Sequence, residues 1–287
     1  MTRDPRLTPA REDLAAAHLE GAVSAARFAE ATPRVVAAPL APVTASPDGR
    51  AEMTTQLVWG EAFDAYEETG LWAWGQARGD GYVGYVPRTC LEAPEALGGP
   101  PTHRVAALSA PVYPEPDFKA RPDGQLPYAA RVAVSGEEEG NQARYARLAS
   151  GVWVAAVHLA PLDRPAPDWV AEAERFLGVP YLWGGRAPMG IDCSALLQLA
   201  LEAGGRACPR DTDMQVAVLG RDLPAGEALA RGDLVFWRGH VGVMLDGARL
   251  LHANIHHMAV VSEPLADAEA RIADKDGGPV TRRARLD

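Results

Sequence analysis

Cys193 stands between a glycine-rich stretch (Gly184, Gly185, Gly190) and a run of apolar residues that begins at the cysteine itself. That run has the look of a buried helix, so the thiol falls on a helix start. A helix N-terminus favours the thiolate over the thiol, and its unpaired N–H groups suit a developing oxyanion. Two histidines follow in strand-like settings, His240 in Gly239-His-Val-Gly-Val243 and His252 in Leu251-His-Ala-Asn254. Together these residue types make a cysteine nucleophile, a general base and a third group that fixes the base's tautomer. The bland alternative is a small buried thiol with no chemistry. Cys90 and Cys208 have no comparable setting and read as structural, as do His18, His103 and His158. No Cys-x-x-Cys occurs, and the His252/His256 spacing falls on strand and turn, so no metal site is expected.

Whether the two imidazoles meet depends on strand register. Asp246-Gly247 separates their strands. A two-residue hairpin there would set His240 opposite Ala253 and turn His252 to the other face. A shift of one residue, such as a bulge, would bring both rings to one face. The sequence leaves both registers open.

Around these residues the pattern is α+β, helices first and sheet afterwards. Helices are expected at 169–177, at 193–203 with Gly204-Gly205 as the stop, from an Asp211 N-cap to about Leu219, and at 265–273. Strands are expected at 233–237, 240–245, 249–253 and 258–261. Upstream, the alanine-rich stretch 9–31 reads as one helix. From about Val35 to Cys90, short strands and turns suggest a small closed β-barrel. Ala41-Pro-Val43 recurs as Ala110-Pro-Val112, and Gly81-Tyr-Val83 loosely as Gly151-Val-Trp153, both about 70 residues on, which suggests a duplicated module. Trp59, Trp72, Trp74 and Trp153 read as barrel core. The resulting division is 1–34, a helical segment; 35–100 and 101–163, two barrels; and 164–287, the unit carrying the cysteine and both histidines.

The chain has 287 residues, 47% of them apolar, and a formal charge of −10, so a folded protein is expected, with neither nucleic acid nor an anionic membrane surface as its main partner. No apolar stretch approaches the ~20 residues of a membrane helix, and no signal-peptide pattern opens the sequence. The three cysteines imply no disulfide framework. A cytoplasmic protein is the expectation.

At Pro180-Tyr-Leu-Trp-Gly-Gly185, Gly190-Ile-Asp-Cys-Ser194, Arg231-Gly-Asp-Leu-Val-Phe-Trp237, His240-Val-Gly-Val243 and His252-Ala-Asn254, the chain resembles the NlpC-type cell-wall cysteine peptidases. The resemblance implies a papain-like α+β domain with Cys193 as nucleophile, His240 as general base and His252 as orienting residue. It further implies that Tyr181 stands near the oxyanion site and that Asp192, Ser194 and Trp183 belong to the substrate pocket. The upstream half resembles the bacterial SH3-like barrels that one branch of the family carries in a pair. That branch cleaves short murein peptides with a free N-terminal L-Ala, between D-glutamate and the diamino acid, and its first barrel helps hold the amine. Tyr82 in Gly81-Tyr-Val-Gly-Tyr85 is then the candidate substrate-facing tyrosine, and Glu52, ahead of Glu61, the candidate acid for the ammonium. The expected partner is a murein-derived peptide, with no cofactor. Rival readings are a hydrolase of intact murein, a non-catalytic wall-binding protein with a decayed peptidase domain, and acyl transfer through the same residues.

Overall fold

The computed structural model describes residues 3–224, 226–274 and 277–286. The chain divides into two compact units, Met1–Asp163 and Arg164–Asp287.

In the first unit a seven-stranded antiparallel sheet runs in the order Met53–Val58, Leu40–Thr44, Val83–Pro87, Trp72–Ala77, Ala62–Thr69, Thr32–Val36, Leu91–Glu92. Its inward residues, among them Val36, Val43, Leu57, Phe63 and Val86, form one apolar cluster. At Gly75 a Cβ would lie 2.1 Å from the Asp64 carbonyl oxygen, so only glycine admits that close strand approach. A second set of short strands, from His103–Val105 to Leu159–Pro161, closes around its own cluster of Val105, Leu126, Val132, Leu148 and Val154. Trp74 and Trp153 are buried, and Trp59 packs against this second cluster.

The helix expected over 9–31 does not form. Ala15–Ala16 and Phe28–Ala29 are instead short parallel strands, joined through a 3-10 turn at Ala17–Leu19. Tertiary contacts override alanine's helix preference here. Leu14, Ala15 and Ala16 are fully buried, and Arg11 bonds Glu67 at 2.6 Å and the Tyr85 hydroxyl at 2.8 Å while lying over the Trp74 ring. A continuous helix could not present both sets of contacts.

The second unit is α+β. Helix α1, Trp169–Glu174, is capped by Asp168, whose carboxylate accepts from the Val170 and Ala171 N–H groups. Helix α2, Cys193–Ala203, is buried on almost every side. Helices α3, Thr212–Val218, and α4, Leu265–Ala273, follow. The sheet has six antiparallel strands in the order Arg221–Asp222, Arg282–Arg285, Leu234–Trp237, His240–Met244, Arg249–Asn254, Ala259–Pro264. Its outer pair, Arg221–Asp222 and Arg282–Arg285, has no apolar alternation to announce it. Among the described residues no helix is long and apolar enough to cross a membrane.

Candidate active site

The cysteine is positioned by the turn before it and the helix after it. Gly184 adopts φ +72°, and its N–H donates to Asp192 Oδ2 at 3.0 Å. A Cβ on Gly185 would meet the Gly190 carbonyl oxygen at 2.4 Å, so the turn folds back on itself only with glycine there. Asp192 is the N-cap of α2, accepting from Ala195 N–H at 2.8 Å. Arg210 reaches both oxygens of Asp192, at 2.6 and 3.0 Å, and the Ser194 hydroxyl at 2.8 Å. This ion pair is buried, with side-chain exposures of 1% for Arg210 and 8% for Asp192. Gln215 of α3 ties down the Ser194 carbonyl at 2.9 Å. Asp192 and Ser194 therefore act from beneath the turn, as parts of a buried network.

The two histidines meet because of the loop between them. Asp246 accepts from the N–H groups of Ala248 and Arg249, and Leu245 N–H bonds the Arg249 carbonyl, so the connection holds three residues rather than two. Val243 then pairs with Leu251 and Met244 with Leu250, one residue off the simple hairpin register. In this register His240 and His252 share a face as diagonal neighbours. His240 Nε2 lies 2.8 Å from His252 Nδ1.

Beyond His252 the chain of contacts continues. His252 Nε2 lies 2.7 Å from Glu263 Oε1, and Glu263 is in turn paired with Arg271 of α4. An ionised carboxylate can only accept, so the His252 proton is assigned to Nε2. His252 Nδ1 then accepts from His240 Nε2–H, which leaves His240 Nδ1 unprotonated.

Cys193 is 8% exposed; the Val241 N–H is directed at its sulfur and Thr212 Oγ1 lies 3.8 Å away. A helix start alone would depress the thiol's pKa. Burial, reinforced by Asp192, instead pushes it up to about 11, against smaller opposing pulls from Thr212, Val241 N–H and Arg210. Burial, with Arg271 adding to it, lowers His240 to about 4, and His252 is likewise held neutral by its burial. At neutral pH the thiol of Cys193 and the imidazoles of His240 and His252 are thus all neutral.

Tyr181 is half-buried, and burial followed by the nearby Cys193 and Asp192 raises its pKa, so its hydroxyl remains a proton donor. Trp183 is 59% exposed, at the surface of the same segment. In the first unit Tyr82 is 4% exposed and packs in the barrel cluster, whereas Glu52 is exposed. Glu61 is buried and its carboxylate accepts from Val58 N–H at 2.8 Å. Sequence reasoning did not single out Glu263, Arg271 or Thr212. The link from Glu263 to His252 becomes visible only once the register pairs Leu250 with Glu263. Among the described residues no group of three or more His, Cys, Asp or Glu side chains is arranged to hold a metal ion.

Residues 178–269 match the model of the NlpC/P60 family, and residues 43–91 that of the bacterial dipeptidyl-peptidase Sh3 domain. The γ-D-glutamyl-L-lysine dipeptidyl-peptidase of Bacillus subtilis (strain 168) is 36% identical over 106 residues, 34% of this chain and 35% of that protein. The protein of the same name from Bacillus cereus (strain ATCC 10987 / NRS 248) is 23% identical over 231 residues, 73% of this chain and 64% of that one. The chain thus spans about a third of the first relative and somewhat under two thirds of the second. The crystal structure of an NlpC/P60 family protein from Bacillus cereus ATCC 10987 superposes with a TM-score of 0.73 at 19% identity, covering 89% of this chain and 99% of that one; it shares the fold.

Proposed function

We propose that this chain, which carries an NlpC/P60 domain and a bacterial dipeptidyl-peptidase SH3 domain, is a cysteine peptidase that hydrolyses the γ-D-glutamyl-L-diamino acid bond of short murein peptides with a free N-terminal L-Ala. The observation that carries the reading is the His240–His252 contact of 2.8 Å, in a strand register that the simplest hairpin would not give. It supplies a base of defined tautomer in the domain whose helix α2 begins with Cys193.

In the proposed reaction Cys193 gives its proton to His240 Nδ1 and attacks the γ-glutamyl carbonyl. The N–H groups at the start of α2 and the Tyr181 hydroxyl stabilise the oxyanion. Protonated His240 delivers its proton to the leaving amine of the diamino acid. A water molecule, deprotonated by His240, then hydrolyses the thioester and restores the thiol. No metal takes part. The free-amine requirement we assign to a carboxylate that pairs with the ammonium, a pairing an acylated amine cannot make. Recycling of released wall peptides in the cytoplasm is the setting we assign to it.

The test compares L-Ala-γ-D-Glu-diaminopimelate, its N-acetylated form and intact sacculi as substrates. Cleavage of the free tripeptide at the γ-glutamyl bond, lost in Cys193→Ala at unchanged Tm, is the expected result. Preferred release from sacculi would reassign the chain to wall hydrolysis. Full activity of Cys193→Ala would end the mechanism.

A further inference from the structure

Glu263 and Arg271 form an ion pair at the His252 end of the imidazole chain. Glu263 lies on the strand Ala259–Pro264 and contacts His252 Nε2 at 2.7 Å. Arg271 rises from the last turn of α4 to the same carboxylate. No step of the proposed reaction uses either side chain, yet each touches the proton inventory of the base.

We infer that Glu263 and Arg271 are opposed positioning residues that set the proton affinity of the His240–His252 pair. The inference rests on the reading of Cys193 as nucleophile and His240 as its base. Glu263 acts in two ways. As an acceptor without a proton of its own, it holds the His252 proton on Nε2 and so keeps His240 Nδ1 unprotonated. As an anion, it favours the imidazolium that forms when Cys193 ionises. Arg271 opposes the second effect, since a cation near the rings disfavours a further positive charge there. Arg271 adds to burial in holding down both His240 and His252.

The other polar groups around the pair do not supply this function. Asn254 Nδ2 lies 3.0 Å from His252 Nε2, but it can only donate. Its orientation is fixed, because Asn254 Oδ1 accepts from His257 N–H at 2.9 Å. Were Glu263 uncharged, Asn254 could donate to His252 Nε2. That would move the His252 proton to Nδ1 and reverse the chain, leaving His240 Nδ1 protonated and useless as a base. His257 also faces His252 and, like Arg271, disfavours its protonation. On the thiol side Asp192 and Arg210 are already paired with each other, and Tyr181 stays protonated.

The experiment follows alkylation of Cys193 by iodoacetamide in the full chain from pH 5 to 11, with mass mapping to separate it from Cys90 and Cys208. The wild type should show a plateau below about pH 7, from the thiolate–imidazolium pair, and a rise from there towards pH 11, where the thiol ionises by itself. Glu263→Gln should lower the plateau on the order of 10- to 100-fold and rejoin the wild type at high pH, as expected for loss of one charge within several ångströms. Arg271→Gln should shift the plateau in the opposite direction. A loss spread evenly over the whole pH range in both variants would mean a structural role and overturn the inference, as would a Glu263→Gln plateau equal to wild type. The readout needs no peptide, so the inference can stand even if the assigned murein substrate fails.

Discussion

The buried Asp192–Arg210 pair offers the most demanding test of how the site is held. Arg210→Met replaces the guanidinium by an apolar chain of similar length. Asp192 then keeps its bonds from Gly184 N–H, Ala195 N–H and the Ser194 hydroxyl but loses both contacts to Arg210. With side-chain exposures of 1% and 8%, the pair is screened little by solvent. Removing one partner of such a pair typically costs about 3–5 kcal/mol, because the other charge is left buried without compensation. For a domain of this size that corresponds to a fall in Tm of roughly 10 °C or more. Removing both charges, in Arg210→Met with Asp192→Asn, eliminates the stranded carboxylate, so the double variant should recover part of the loss. Differential scanning calorimetry of the full chain reads both values, and peptide cleavage reports on the turn. A cost below about 1 kcal/mol for the single variant, or a double variant less stable than it, would refute the claim that this pair anchors the turn before Cys193.

Three further expectations concern proton balance and register. His240 is held near pKa 4, so kcat/KM should stay high well below pH 6.5 and fall only as pH approaches about 4; an acid limb centred at the ordinary histidine value would contradict the burial argument. The same depression has a stability consequence of definite sign. The unfolded state binds a proton below its own pKa of about 6.5 while folded His240 does not. The second unit should therefore lose stability as pH falls from about 6.5 to 4, by about 1.4 kcal/mol for each pH step of one, as read by urea unfolding at both pH values. Asp246→Ala removes the acceptor for Ala248 and Arg249 N–H, bonds of 2.7 and 2.8 Å, and should relax the three-residue loop. Activity should fall at least 10-fold with only a small change in Tm, because register rather than packing is disturbed; unchanged activity would refute the role given to the loop.

Much of the second unit was legible because its chemistry coincides with strong local signals. Helices α2 and α4 are found over the expected residues, the first stopped by Gly204 and the second patterned with apolar residues on one face. The four central strands follow apolar runs broken by turn residues. The strand Arg282–Arg285 was invisible for a physical reason. Its residues are held by guanidinium contacts, Arg285 to Asp233 at 2.7 Å and Arg282 to the carbonyls of Val216, Leu219 and Gly220, which hydrophobic periodicity does not report. The segment 9–31 misled in the opposite direction. Its alanines favour a helix locally, but the pull of Glu67, Trp74 and Tyr85 on Arg11 depends on partners more than 50 residues away. Register was undecidable for a third reason: one extra residue in a loop is a matter of which acceptor Asp246 offers to the backbone, and that is settled only by the folded hairpin.

A helix start suggests a thiol activated in advance, and the folded site argues for a different economy of charge. Burial pushes Cys193 up to about 11 and His240 down to about 4, so each resists carrying a charge alone. Moving a proton from one to the other adds no net charge to the buried region, and the two new charges attract at short range, where an effective dielectric near 20 leaves about 4 kcal/mol at a separation of ~4 Å. The same transfer exchanges no proton with solvent. The fraction of reactive ion pair is then independent of pH between the two limits, whereas an isolated thiolate would rise tenfold for each step of one in pH. With these values the lone thiolate overtakes the ion pair only near pH 7, so a flat stretch of Cys193 alkylation from about pH 4.5 to 6.5 is the signature of the coupled pair, and a rate that climbs tenfold per pH step across that range would mean that the sulfur ionises without its imidazole.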